Sequence, residues 1–166
     1  VLGEYWRLLT AIFMHAGLLH LGLNCTALFF IGPEAEAVLG YRSFLALYLL
    51  SGLAGSTASL LSSDLVTVGA SGALFGLLGA LVAYFIRNPK LQWARLQVVY
   101  ILGVVALNIA LGTDRGSMID NSGHIAGFLS GLWLGWFLCP QWKVHTRSPE
   151  LDCCLTADAL SMEEHY

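Results

Sequence analysis

Charge is what this sequence has least of. Asp, Glu, Lys and Arg make up 11% of its 166 residues, and hydrophobic residues make up 57%. Mean hydropathy is +0.69. Soluble chains carry about 25% charged residues, so this surface cannot be mostly wet. The expected class is an all-α membrane protein, a polytopic helical bundle embedded in a lipid bilayer, because helices satisfy their own backbone polar groups in lipid. Zinc-type cysteine spacing is also missing. Cys25 and Cys139 sit in apolar segments and Cys153-Cys154 are adjacent, so neither a metal site nor a disulfide framework is expected. No His-Glu-x-x-His occurs, and the remaining histidines are scattered, which argues against metal and against any cofactor. An intramembrane aspartyl site needs two facing carboxylates, and Glu34 and Glu36 share one segment without a partner Asp. No basic patch interleaves with aromatics, so nucleic acid is not an expected partner.

What is present is a series of long apolar runs. Residues 1–17 are amphipathic, and Tyr5, Trp6 and Arg7 suit a membrane–water interface. Spans are predicted at about 18–39, 41–62, 70–86, 96–111 and 122–138. Pro33 falls inside the first, where neighbouring groups must satisfy the freed carbonyl. Ser51, Gly55 and Ser59 recur every four residues in the second, and Gly127, Gly131 and Gly135 do so in the fifth. Such small-residue stripes let helix backbones touch. The third span is short for a bilayer, which takes about 20 residues. Five spans put Arg42, Arg87, Lys90, Arg95, Lys143 and Arg147 on one side, against Arg7 and Arg115 on the other. That asymmetry is the positive-inside signal. Residues 144–166 read as a polar, loose tail. Val1 stands where an initiator methionine would, and no signal or transit peptide is visible. The expectation is therefore a fragment or a processed product, with a helix missing upstream.

The same topology brings chemistry to one side. Ser71 opens the third span, His124 opens the fifth, and His20 and Asn24 lie near the start of the first. All three spans start on the charge-poor side, so these groups share a face and a shallow depth. Polar and ionisable groups inside spans mark functional sites. Gly69-Ala70-Ser71-Gly72 alone reads better as helix packing than as a nucleophile. With His124 as a base at the same depth, the serine can be activated. Gly72, Gly76, Gly79 and Ala83 form a smooth face that, packed on Gly127 and its successors, brings Ser71 within hydrogen-bonding reach of His124. His20 and Asn24 are four apart, hence on one helical face, and both can donate to an oxyanion. Each also has a plain structural reading as a polar helix contact. His15 fits a role in fixing the entry loop. No carboxylate is placed to orient His124, since Asp120 lies at the loop edge, so a Ser–His dyad is expected. Phe75, one turn after Ser71, either stacks on the imidazole or simply packs the core. Asn108 is read as an interhelical hydrogen bond.

These residues resemble the rhomboid intramembrane serine proteases over about residues 3–143. Glu4-Tyr5-Trp6-Arg7 is similar to the family's Trp-Arg loop motif, and His15, His20 and Asn24 match its His-x4-His-x3-Asn run. Gly32, Glu36, Gly40 and Tyr48 match its Gly-x3-Glu-x3-Gly pattern and following tyrosine. Gly69-Ala70-Ser71-Gly72 matches the nucleophile motif, and His124-Ile125-Ala126-Gly127 with Gly131 matches the histidine–glycine motif. The resemblance implies a rhomboid-like domain over 1–143 with five spans, the family's first helix being absent. It implies a serine endopeptidase with Ser71 as nucleophile, His124 as base, and His20 and Asn24 as oxyanion donors. Its substrates would be transmembrane segments of other proteins, entering past the span at 96–111. Arg7 is expected to lock the first loop to Glu36. Phe75 stands where some members have tyrosine. The runs at 32–36 and 140–143 look most like plant plastid members, which implies a plastid membrane. Two rivals remain: a rhomboid-like pseudoprotease that binds membrane clients without cutting, and a transporter-type helical module. The first is disfavoured because all four site residues are present. The second needs a polar path across the membrane, and the polar groups here gather on one side.

Overall fold

The computed structural model describes residues 3–62, 68–113 and 119–139. Among the described residues every regular element is helical. A short α1 (Trp6–Thr10) and a 3-10 turn (Ala11–Phe13) precede five long helices: α2 (Leu18–Leu39), α3 (Tyr41–Ser62), α4 (Ser71–Arg87), α5 (Ala94–Leu111) and α6 (Asn121–Leu138). The first two long helices coincide with the predicted spans, and the other three differ at one end or both by a residue or two. Arg115, Lys143, Arg147 and the predicted tail lie outside the described residues.

Three of these helices, α2, α3 and α5, are long and apolar enough to cross a membrane by length and composition. At 22 residues, α2 and α3 each measure about 33 Å, a little more than a hydrocarbon core of about 30 Å. Their outward side chains stay apolar: Leu18 is 88% exposed and Phe29 74% exposed. A patch of that kind faces lipid rather than water. Gly40, at φ +75°, stops α2 with its N–H on Glu36 O at 2.8 Å. Left-handed backbone at that position favours glycine.

α4 is different. It runs 17 residues, about 26 Å, and every residue from Ala73 to Phe85 is buried. A helix apolar on all sides belongs in the middle of a bundle, and α2, α3, α5 and α6 surround it. Its partner along the whole length is α6, running parallel. A Cβ added at Gly127 would strike the Gly72 backbone, one at Gly131 would strike Gly76, and one at Gly135 would stand 2.6 Å from Ala80 Cα. The predicted glycine faces therefore meet, with Ala80 taking the last step of the register. α3 closes the third side, where Ser51 packs on Gly76 and Gly55 approaches both Gly72 and Gly123.

At the far end of this pair Arg87 ties α4 to α6. Its Nη1 donates to the carbonyls of Trp136 and Cys139, the latter at 2.7 Å. The guanidinium also lies over the Trp136 ring, 5.7 Å from its centroid. Cations at a helix C-terminus neutralise its partial negative charge. Asn108 does not bridge helices as expected; its Nδ2 donates to Val104 O on its own helix at 3.0 Å. The α5–α6 hydrogen bond comes instead from Asn121 Nδ2 to Ile109 O, also at 3.0 Å.

Candidate active site

The N-terminal ends of α2, α4 and α6 converge. Ser71 is the first residue of α4 and half-buried. The first intrahelical bond there runs from Leu74 N to Ala70 O at 3.0 Å. The N–H groups of Ser71, Gly72 and Ala73 lie upstream of it and are the orphan donors every helix start carries. Such a terminus favours negative charge next to it, which is what an oxyanion requires.

His124 sits one turn into α6 and is buried, 7% exposed. Phe75 stacks on its ring, with centroids 4.2 Å apart and planes within 10°. Of the two roles open to Phe75, the structure shows the stacking one. The imidazole is thereby held one helical turn from Ser71, because Ser71 and Phe75 are i and i+4 on α4. The first turn of α6 is fixed from below. Asp120 Oδ1 accepts from Gly123 N at 3.0 Å, and Asp120 O accepts from His124 N at 3.1 Å. Asp120 is thus the helix N-cap, a role the sequence reading missed. An acidic residue three before Gly123 was the signal for it.

His20 and Asn24 meet the nucleophile loop at Gly69. That residue has φ +134°, and a Cβ on it would stand 2.7 Å from His20 Cε1 and 2.9 Å from Nε2. Asn24 Nδ2 lies 3.8 Å from the same point. Only glycine lets the backbone pass this close in that conformation. Asn24 is buried and uses Nδ2 to donate to His20 O at 3.0 Å. An amide nitrogen carries two hydrogens, so one remains for a bound group. His15 packs edge-on against His20, with ring centroids 5.2 Å apart. The entry loop is fastened by residues the sequence reading passed over: Gly69 N donates to Ala11 O at 3.0 Å, and Ile12 is buried against Gly52.

Not every expected residue joins this cluster. Arg7 pairs with Glu4, Nε to Oε2 at 2.7 Å, rather than with Glu36. Glu36 lies sixteen residues along α2 from His20, about 24 Å away. It lines a separate groove with Cys25, Leu28, Gly32 and Phe44. Trp6 is 60% exposed on α1. Gly127 and Gly131 belong to the α4–α6 seam described above. No hydrogen bond joins Ser71 Oγ to His124, and His124 Nδ1 is buried without a partner. Catalytic hydrogen bonds in unliganded sites are often loose and tighten when substrate binds. Among the described residues no cluster of side chains could hold a metal ion.

Comparison with known proteins matches the Rhomboid domain over residues 2–141. The chain is 42% identical over 131 residues to the rhomboid protease GluP of Bacillus subtilis (strain 168), covering 79% of this chain and 25% of that protein. It is 41% identical over 140 residues to RHOMBOID-like protein 5 of Arabidopsis thaliana, covering 82% and 45%. RHOMBOID-like protein 6, mitochondrial, from the same plant is 37% identical over 140 residues, covering 83% and 45%. The chain thus spans a quarter to under half of these relatives' lengths.

Proposed function

The chain belongs to the rhomboid family, and from that premise we propose that it is an intramembrane serine endopeptidase working through a Ser71–His124 dyad. The observation that carries this reading is the Phe75–His124 stack. It holds a histidine ring one turn from a serine that opens a buried helix, where a bare packing contact would not need coplanar rings.

In the proposed reaction His124 takes the proton from Ser71 Oγ as the hydroxyl attacks the scissile carbonyl. The oxyanion that forms is met by the first-turn N–H groups of α4 and by donors on His20 and Asn24. Losing one such donor costs about 3 kcal/mol of transition-state stabilisation. His124 then returns the proton to the leaving amine. The substrate is a transmembrane segment of another protein, unwound near the end that lies on the Ser71 side. The length of α4 supports a cut at that depth: at about 26 Å it is shorter than a hydrocarbon core of about 30 Å, which in this reading sets Ser71 below the membrane surface. A plastid membrane is the location we propose from the run at 32–36, and organelle fractionation checks it.

The test uses the purified protein in liposomes with a labelled transmembrane substrate and a fluorophosphonate probe. Cleavage and labelling are expected in the parent and neither in Ser71→Ala. A Ser71→Ala protein that still cleaves sinks the dyad. Substrate retention without cleavage by the parent would favour the pseudoprotease.

A further inference from the structure

The cavity beside Ser71 is the size of one water molecule. It measures about 20 Å³, and its lining combines the side chains of Ser56, Ser71 and Asp120 with glycines that include Gly55, Gly72 and Gly123. A site of 10–15 Å³ on this measure already admits a water, provided polar groups hold it. Most of this lining is glycine backbone, and Asp120 supplies its one charged side chain.

The two oxygens of Asp120 are used unequally. Oδ1 accepts the Gly123 N–H that caps α6. Oδ2 lies over Gly123, against the point a Cβ would occupy there, and has no hydrogen-bond partner among the described residues. An ionised carboxylate oxygen only accepts, so Oδ2 is available to accept from a water in the cavity. A cap alone needs one oxygen, and serine or asparagine caps as well as aspartate does.

Resting on the endopeptidase reading above, we propose that Asp120 positions the water that hydrolyses the acyl-enzyme. After the first step the acyl group is an ester on Ser71 Oγ and the amine product has left. Water in the cavity donates one hydrogen to Asp120 Oδ2, which fixes its orientation. His124 takes the other proton as the water oxygen bonds to the acyl carbon. The carbon–Oγ bond then breaks, His124 returns its proton to Oγ, and a carboxylic acid departs. Acylation uses no water, so Asp120 acts on the second step alone.

The experiment compares Asp120→Asn and Asp120→Ser with the parent in liposomes. Asparagine keeps the cap but places a donor where Oδ2 accepts, and serine keeps the cap without a second oxygen. Fluorophosphonate labelling of Ser71 is expected to stay within about twofold, since misplacing only the water leaves the nucleophile intact. Turnover of the transmembrane substrate is expected to fall by about tenfold or more, with a substrate-derived adduct on Ser71 in the intact mass. Turnover at the parent rate in both variants overturns the proposal. So does a parallel fall in labelling, turnover and melting temperature, which would make Asp120 a cap only. If the parent itself is never labelled at Ser71, the endopeptidase reading fails instead, and the two failures are told apart.

Discussion

The two ends of the α4–α6 pair are built from the same helices and finished in opposite ways. At the C-terminal end Arg87 satisfies the carbonyls of Trp136 and Cys139, and Asn88 Nδ2 donates to Tyr84 O at 2.8 Å. At the N-terminal end His15 Nε2, Asn121 Oδ1 and His124 Nδ1 are buried without partners. Buried polar atoms are nearly always paired in folded proteins, and each exception asks for an explanation. Three of the four such atoms among the described residues lie toward this end, and the fourth, Ser51 Oγ, packs on Gly76 in the seam. One end pairs its carbonyls and closes the bundle, and the other leaves buried polar atoms unpaired. In the proposed function, stability and chemistry are thus separated along one helix pair, with the glycine seam between them.

The separation is broken most directly at the open end. Ser71→Ala or His124→Ala should reduce cleavage by about 10³-fold or more, while the melting temperature in detergent stays within a few degrees of the parent. Loss of fold in both variants would mean that the open end is structural after all. Next in size is the seam. Gly131→Val drives a side chain into the Gly76 backbone, and overpacking of this kind costs about 3 kcal/mol. Unfolding in a denaturant series should show it, with activity lost because Ser71 and His124 lose their common register.

Arg87→Ala tests the closed end. Removing two charge-assisted bonds to carbonyls should cost about 2 kcal/mol, seen as a lower melting temperature. Activity well below that temperature should match the parent. A drop in cleavage without a drop in stability would show that the closed end also steers the site. The smallest effect is expected for Phe75→Leu, which keeps the apolar bulk and removes the coplanar ring. An aromatic stack is worth about 1 kcal/mol, so cleavage should fall by roughly fivefold to tenfold with little change in stability. Phe75→Tyr, which keeps the stack, should restore it.

Much of this was legible in the chain. Period and length of the apolar runs located the helices, because in lipid each helix must satisfy its own backbone and span a set thickness. The four-residue recurrence of Gly127, Gly131 and Gly135 marked a contact face for the same reason. Positive charges at alternate connections ordered the helix ends, and so placed Ser71, His124, His20 and Asn24 on one side. The Arg7–Glu36 pairing failed because Glu36 lies about 24 Å along α2 from His20, toward the opposite end of the helix. Glu4, three residues from Arg7, was within reach and took the ion pair.

What the sequence determined alone is the set of helices, their direction and the side on which polar groups collect, since each follows from local hydrophobicity and helix geometry. Tertiary structure decided the rest. Phe75 had two readings until the α4–α6 register placed His124 against its face. Asp120 was a loop-edge acid until α6 began at Asn121 and gave it an N–H to accept. Asn108 bonded its own turn, and Asn121 made the bridge to α5. All of these depend on the axial offset of one helix against another, a quantity set by backbone contact at glycines and invisible in any single run of residues.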